Sequence, residues 1–172
     1  WFSLCLDDIN QGVDARMQAR LVNEILRRLR ERDPGARMIF CPTFYSGDGS
    51  EPAARAYLTT LAGALHPDVL VFWTGDAVSP PVVTRSAAES FRALVGHRVV
   101  LWDNYPENDN FPTMNLGPLT GRGPELCEVL DGYMANSHCR QNQANRLPVM
   151  TCADYAYNPW QYDPARSIAQ AI

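Results

Sequence analysis

Two adjacent carboxylates, Asp7 and Asp8, end the apolar run Leu4-Cys5-Leu6 and carry the clearest chemical potential in the chain. Neighbouring carboxylates do not ionise independently, because the first charge disfavours the second and raises one of the two pKa values. The expected product is a neutral acid beside an ionised partner near neutral pH, the division of labour that glycoside cleavage requires. Strands that deliver charge at their C-terminal tips are also how α/β barrels assemble active sites. A helix N-cap is the competing reading, since Asp is a favoured cap and a helical pattern begins a few residues later.

Other chemistries are disfavoured by composition. The 172 residues contain 15 basic side chains, all of them Arg, so neither a P-loop lysine nor a Schiff-base lysine is available. A net charge of −4 argues against a nucleic-acid partner. No apolar run reaches the length of a membrane span, and no signal or transit segment is expected. The cysteines (Cys5, Cys41, Cys127, Cys139 and Cys152) are odd in number, with no CxxC or zinc spacing, so neither a metal nor another cofactor is expected. Their unpaired pattern leans toward a reducing, cytoplasmic compartment. The oxygen-rich stretch Asp103 to Asp109 invites comparison with a calcium loop, but EF-hand spacing and its central Gly are absent.

The elements that must position these residues alternate strand and helix with a period of about 30 residues, the size of a βα unit. Strands are predicted at Phe2 to Asp7, Arg37 to Cys41, Val69 to Trp73, Arg98 to Trp102 and, weakly, Gly132 to Ala135. The third and fourth are almost continuously apolar, as strands covered on both faces should be. Met17, Leu21, Ile25, Leu26 and Leu29 mark one face of a first helix, with Arg27, Arg28 and Arg30 on a solvated face, and Asp33-Pro34-Gly35 stops it. Further helices are predicted over about Pro52 to Leu65 and Val83 to Val95, with a short one near Pro124 to Val129. The tail reads as helices interrupted at Asn158-Pro159 and Asp163-Pro164. A single parallel α/β domain follows, with its polar residues at the C-terminal strand ends where ligands bind.

Four blocks, in order, resemble the catalytic barrel of glycoside hydrolase family 84, the β-N-acetylglucosaminidases of the O-GlcNAc-hydrolysing type. They are Leu6-Asp7-Asp8-Ile9; Cys41-Pro42-Thr43-Phe44-Tyr45; Phe72-Trp73-Thr74-Gly75-Asp76-Ala77-Val78; and Leu101-Trp102-Asp103-Asn104-Tyr105-Pro106-Glu107-Asn108-Asp109. The resemblance continues through Leu116-Gly117-Pro118-Leu119-Thr120-Gly121-Arg122 and Tyr133-Met134-Ala135-Asn136 to Asn158-Pro159. It implies a (β/α)8 TIM-type barrel, of which residues 1–172 form about the last five βα units.

It further implies a retaining mechanism in which the substrate's 2-acetamido oxygen attacks the anomeric carbon and forms an oxazoline. By position, Asp7 orients and polarises the acetamido group, and Asp8 is the general acid and then the base. Tyr45 matches a tyrosine hydrogen-bonded to the acetamido region, and Thr74, Val78 and Trp102 match the walls of that pocket. Asn104 matches an amide ligand of the acetamido group, while Asp109 and Asn136 match ligands of the sugar hydroxyls. Each has a plainer reading as strand-end packing or a loop tie. The implied partner is an N-acetylglucosaminyl glycoconjugate. The family also draws a glycine and a lysine from earlier strands, and this chain has no Lys. Activity is therefore expected to need an N-terminal barrel segment. The alternatives are a non-catalytic GlcNAc-binding module or inactive fragment and, third, an unrelated α/β enzyme that places a metal on the Asp pair.

Overall fold

The computed structural model describes residues 1–9, 11–109, 113–139 and 142–172. Five strands, β1 (Phe2–Cys5), β2 (Met38–Cys41), β3 (Leu70–Trp73), β4 (Val99–Asp103) and β5 (Gly132–Ala135), form one parallel sheet in the order β1-β2-β3-β4-β5. A doubly wound sheet reverses its strand order at a switch point; a barrel does not. The strictly sequential order is therefore that of barrel strands. The connections carry α1 (Ala15–Arg32), α2 (Pro52–Ala62), α3 (Arg85–Val95) and a 3₁₀ turn (Pro124–Glu128); α4 (Asn142–Tyr157) and α5 (Pro164–Ala171) follow β5. The long polar loop expected after β4 contains positions 110–112, which lie outside the described residues.

Strand periodicity divides the side chains into two layers. Met38, Phe40, Val69, Val71, Trp73, Val99 and Leu101 pack against Val22, Leu26, Leu58, Leu61 and Phe91 of the helices. The alternate residues Cys41, Leu70, Phe72 and Val100 form a second cluster on the opposite, inner face, joined by Tyr45, Trp102 and Met134. The helices begin where side chains satisfy free backbone N–H groups: Asp14 caps α1, Glu51 caps α2, Thr84 caps α3 and Asp163 caps α5. Asp163-Pro164 thus starts a helix, with Pro at its first position, where the missing N–H costs nothing.

One ion pair ties the second half of the sheet together. Arg122 donates through Nε to Oδ2 of Asp103 at 2.9 Å and through Nη2 to Oδ1 at 2.6 Å, with both side chains buried. The remaining Arg122 protons meet the carbonyls of Pro80, Pro81 and Thr120. Tyr133 of β5 donates to Oδ2 of Asp103 at 3.0 Å, and burial together with the Asp103 charge raises its pKa. Gly121, at φ 74°, lets this loop approach the β3–α3 loop, because a Cβ there would stand 2.1 Å from the Pro81 carbonyl oxygen.

Two consequences for stability follow. Arg122→Met strands a buried carboxylate and should cost about 3–5 kcal/mol in urea unfolding. Replacing Asp103 and Arg122 together with apolar residues should cost clearly less. His97, buried with Nδ1 3.0 Å from the Val69 carbonyl, titrates below its ordinary 6.5. Burial causes this, outweighing the pull of the Val69 and Ala62 carbonyls. The unfolded chain therefore takes up a proton that the native state refuses, and His97 removes stability as pH falls below about 6.5. The urea midpoint should drop across that window in the parent protein and drop less in His97→Gln.

Candidate active site

Because the strands alternate, the inner face extends past each strand tip. Cys5 and Cys41 are paired in register, Phe72 leads two residues on to Thr74, Trp102 to Asn104, and Met134 to Asn136. A cleft of about 420 Å³ opens at this C-terminal rim, lined by Asp7, Asp8, Cys41, Tyr45, Thr74, Val78, Trp102, Asn104, Glu107, Asp109 and Asn136. All nine residues singled out from the sequence thus lie around one space. Two residues that the sequence reading did not single out, Cys41 and Glu107, line it as well.

The carboxylate pair reaches this cleft by leaving the strand. Consecutive strand residues face opposite sides, so a continued β1 would send Asp7 and Asp8 apart. β1 instead stops at Cys5, and Asp7-Asp8 form a turn, not a helix cap; Asp14 is the cap. Asp7 is half-buried and Asp8 exposed. Their negative field is felt across the cleft. Burial, then Asp8 and Asp7, push the Tyr45 hydroxyl above its usual range, which keeps it a hydrogen-bond donor. The same causes, burial and then Asp7, Cys5 and Asp8, push the Cys41 thiol far up, leaving it neutral and non-nucleophilic.

Loop-to-loop hydrogen bonds hold the remaining walls. The Thr74 N–H donates to the Tyr45 carbonyl at 2.9 Å, and its hydroxyl donates to the Ala77 carbonyl at 2.9 Å, so Thr74 is a loop tie as well as a wall. Asn104 donates to the Val78 carbonyl at 2.7 Å and accepts from Nδ2 of Asn136 at 2.9 Å. Trp102 stands edge-on to Phe72, with ring centroids 5.0 Å apart. Glu107 is buried; it accepts from the Asp109 N–H at 2.8 Å and from the Ser79 hydroxyl at 3.3 Å. Its own N–H donates to the Asn136 carbonyl at 2.9 Å. Glu107 thus braces the two residues beside it in the cleft. Its signal was present in the block Asn104 to Asp109, but neither spacing nor periodicity separates a bracing carboxylate from a solvated one.

Among the described residues no cluster of His, Cys, Asp and Glu is arranged to hold a metal ion, and no helix is long and apolar enough to cross a membrane. What the cleft offers is paired carboxylates, amides, hydroxyls and one aromatic wall, a set suited to a sugar's alternating donors and acceptors.

A polar cleft with a carboxylate pair at the C-terminal rim of such a sheet is the architecture of the barrel glycoside hydrolases. The chain belongs to one family of them, the β-N-acetylglucosaminidases of glycoside hydrolase family 84, whose pattern it matches over residues 1–172. It is 30% identical over 167 residues to the protein O-GlcNAcases of Rattus norvegicus and Mus musculus, covering 90% of this chain and 18% of each of those proteins. Its fold superposes on a mutant of the Thermobaculum terrenum O-GlcNAc hydrolase with a TM-score of 0.90 at 31% identity, covering 98% of this chain and 38% of that one. It superposes on CpGH84B with the same score at 28% identity, covering 99% and 31%. These neighbours are TIM barrels, and the chain spans about a third of their length and less than a fifth of the mammalian relatives.

The site's electrostatics predict thiol behaviour directly. Alkylation with iodoacetamide at pH 8, followed by mass spectrometry, should modify the exposed Cys127 and Cys139 at least about tenfold faster than Cys41. Cys152, whose pKa is pushed up to about 11 chiefly by burial, should also be spared until the protein is unfolded.

Proposed function

We propose that this chain carries the catalytic centre of a retaining β-N-acetylglucosaminidase of the O-GlcNAc-hydrolysing type, acting through the substrate's own acetamido group. The observation that carries the reading is the turn that brings both Asp7 and Asp8 into one cleft with Tyr45, Asn104 and Asn136, in a chain of this family. In the first step the acetamido oxygen attacks C1 while the bond from C1 to the leaving oxygen breaks. Asp8, as a neutral acid, gives its proton to that oxygen, and an oxazoline forms. Asp7 accepts the acetamido N–H and stabilises the positive charge that develops on the ring nitrogen. In the second step Asp8 takes a proton from water as the water attacks C1, which opens the oxazoline and restores the acetamide with retained configuration.

Exposure supports this division. The acid, which must meet the leaving group and then water, is assigned to the exposed Asp8, and the polarising role to the half-buried Asp7. Tyr45 and Asn104 donate to the acetamido and oxazoline region. Thr74, Val78 and Trp102 surround the acetyl methyl, which selects the N-acetyl sugar over the free amine. Asp109 and Asn136 hold sugar hydroxyls, with Glu107 bracing both. In this proposal residues 1–172 form part of a glycosidase barrel, and strands outside them supply the rest of the hydroxyl shell. A GlcNAc-binding module without catalysis is the alternative, given the third of the structural neighbours' length that the chain covers.

The test is hydrolysis of aryl and alkyl N-acetyl-β-glucosaminides of graded leaving-group pKa, by the chain alone and with its flanking barrel sequence. Asp8→Asn should cost about 10²–10⁴-fold for poor leaving groups and much less for activated aryl ones, because only the former need protonation. Asp7→Asn should slow all of them to a similar degree. Hydrolysis that is indifferent to Asp8→Asn would remove the acid assignment. No hydrolysis by either form, with GlcNAc still bound, would favour the binding module.

A further inference from the structure

Behind the Asp7–Asp8 turn, within the helix-side core, lies a one-directional chain of hydrogen bonds. The Thr43 N–H donates to the Tyr57 hydroxyl oxygen at 3.2 Å, and the Tyr57 hydroxyl donates to Oε1 of Gln18. Nε2 of Gln18 donates to Oγ1 of Thr43 at 2.9 Å, and that hydroxyl donates to the Leu6 carbonyl at 2.8 Å. Gln18 is 7% exposed and sits on α1 between Ala15, Ala19 and Val22, on a face that is otherwise apolar. A buried amide in such a layer is costly unless both of its ends are bonded, and here both are. The pattern also fixes every direction: only a group that donates from one end and accepts at the other can occupy position 18.

The chain of bonds ends on the Leu6 carbonyl, in the peptide unit that leads into Asp7. A peptide is planar, so holding the Leu6 oxygen sets the direction of the Asp7 N–H and the plane from which Asp7 rotates. The Leu6 N–H is held too, by the Cys41 carbonyl at 2.9 Å. Both ends of the last residue before the carboxylate pair are therefore gripped by the tip of β2, one rung beyond the end of β1. We propose that Gln18, acting through Thr43, is a positioning residue for the catalytic pair: it touches none of the cleft but sets the peptide from which both carboxylates are displayed. This rests on the functional reading above. It assigns to α1, which otherwise only covers the sheet, a part in holding reactive geometry.

The experiment compares the intact parent protein with Thr43→Val, Thr43→Ser, Gln18→Leu and Asp8→Asn. Thr43→Val removes the hydroxyl at nearly constant shape, and Thr43→Ser keeps it. Amide exchange should accelerate at least about tenfold at Leu6 in Thr43→Val and Gln18→Leu. The Val71 amide, bonded to the Arg98 carbonyl in the centre of the sheet, should be unchanged. On an aryl N-acetyl-β-glucosaminide, kcat should fall about 10–100-fold with KM within about twofold, and Thr43→Ser should restore both readouts. A Thr43→Val protein with parental kcat and parental exchange at Leu6, but a lower melting temperature, would overturn the proposal and leave the network a purely stabilising one. If Asp8→Asn is as active as the parent, the functional reading fails instead. Exchange at Leu6 then still decides whether Thr43 and Gln18 hold the turn.

Discussion

The buried pair of Asp103 and Arg122 is the interaction on which the site half of this structure hangs. A carboxylate at the tip of a central strand, on the helix side, has no access to water and is tolerable only with a cation fully engaged. Arg122 meets that demand in the fork geometry that suits a carboxylate, and its other protons gather the carbonyls of Pro80, Pro81 and Thr120. The β3–α3 loop, the loop after β4 and, through Tyr133, strand β5 are thereby fastened to one residue. Val78, Asn104 and Asn136 each project from a segment fixed in this way. A lysine could supply the charge but not the five directed donors.

On the inner face the constraint is alternation. Period-2 geometry carries Thr74, Trp102, Asn104 and Asn136 to one side without any special backbone. The Asp pair needs the opposite, a break in regularity, since two consecutive residues must serve one space. Burial first, and the negative field of the pair after it, raises the pKa values of Tyr45 and Cys41, so both stand protonated beside the carboxylates.

Much of this was legible in the residues themselves. Continuous apolar runs such as Leu70–Trp73 marked buried parallel strands, and Asp33-Pro34-Gly35 marked the end of the first helix. The nine residues named from the ordered blocks line one cleft. What the sequence withheld was partnership between distant positions. Asp103 and Arg122 were both visible, the first at the start of an oxygen-rich stretch and the second as the close of a block, yet nothing local says that they meet. Gln18 interrupts an apolar helix face as any tolerated polar residue would, and only Thr43 and Tyr57, brought in from other elements, give it a task. Glu107 was hidden for the same reason. Element ends moved by a residue or two where a cap decided them, as Thr84 does for α3.

The sequential strand order bears on how the chain reaches this state. Each strand pairs with the one synthesised just before it, so the sheet can grow one edge at a time, although every parallel pairing must first close a helix-length crossover. Growth meets one obstacle. When β4 docks on β3, Asp103 is drawn out of water before Arg122, 19 residues further on, has arrived. A sheet halted at that stage carries an uncompensated charge, so partial assemblies that end at β4 are selected against. Strands β3 and β4 and the loop that carries Arg122 are thus tied into one unit, on which β5 can dock through Tyr133.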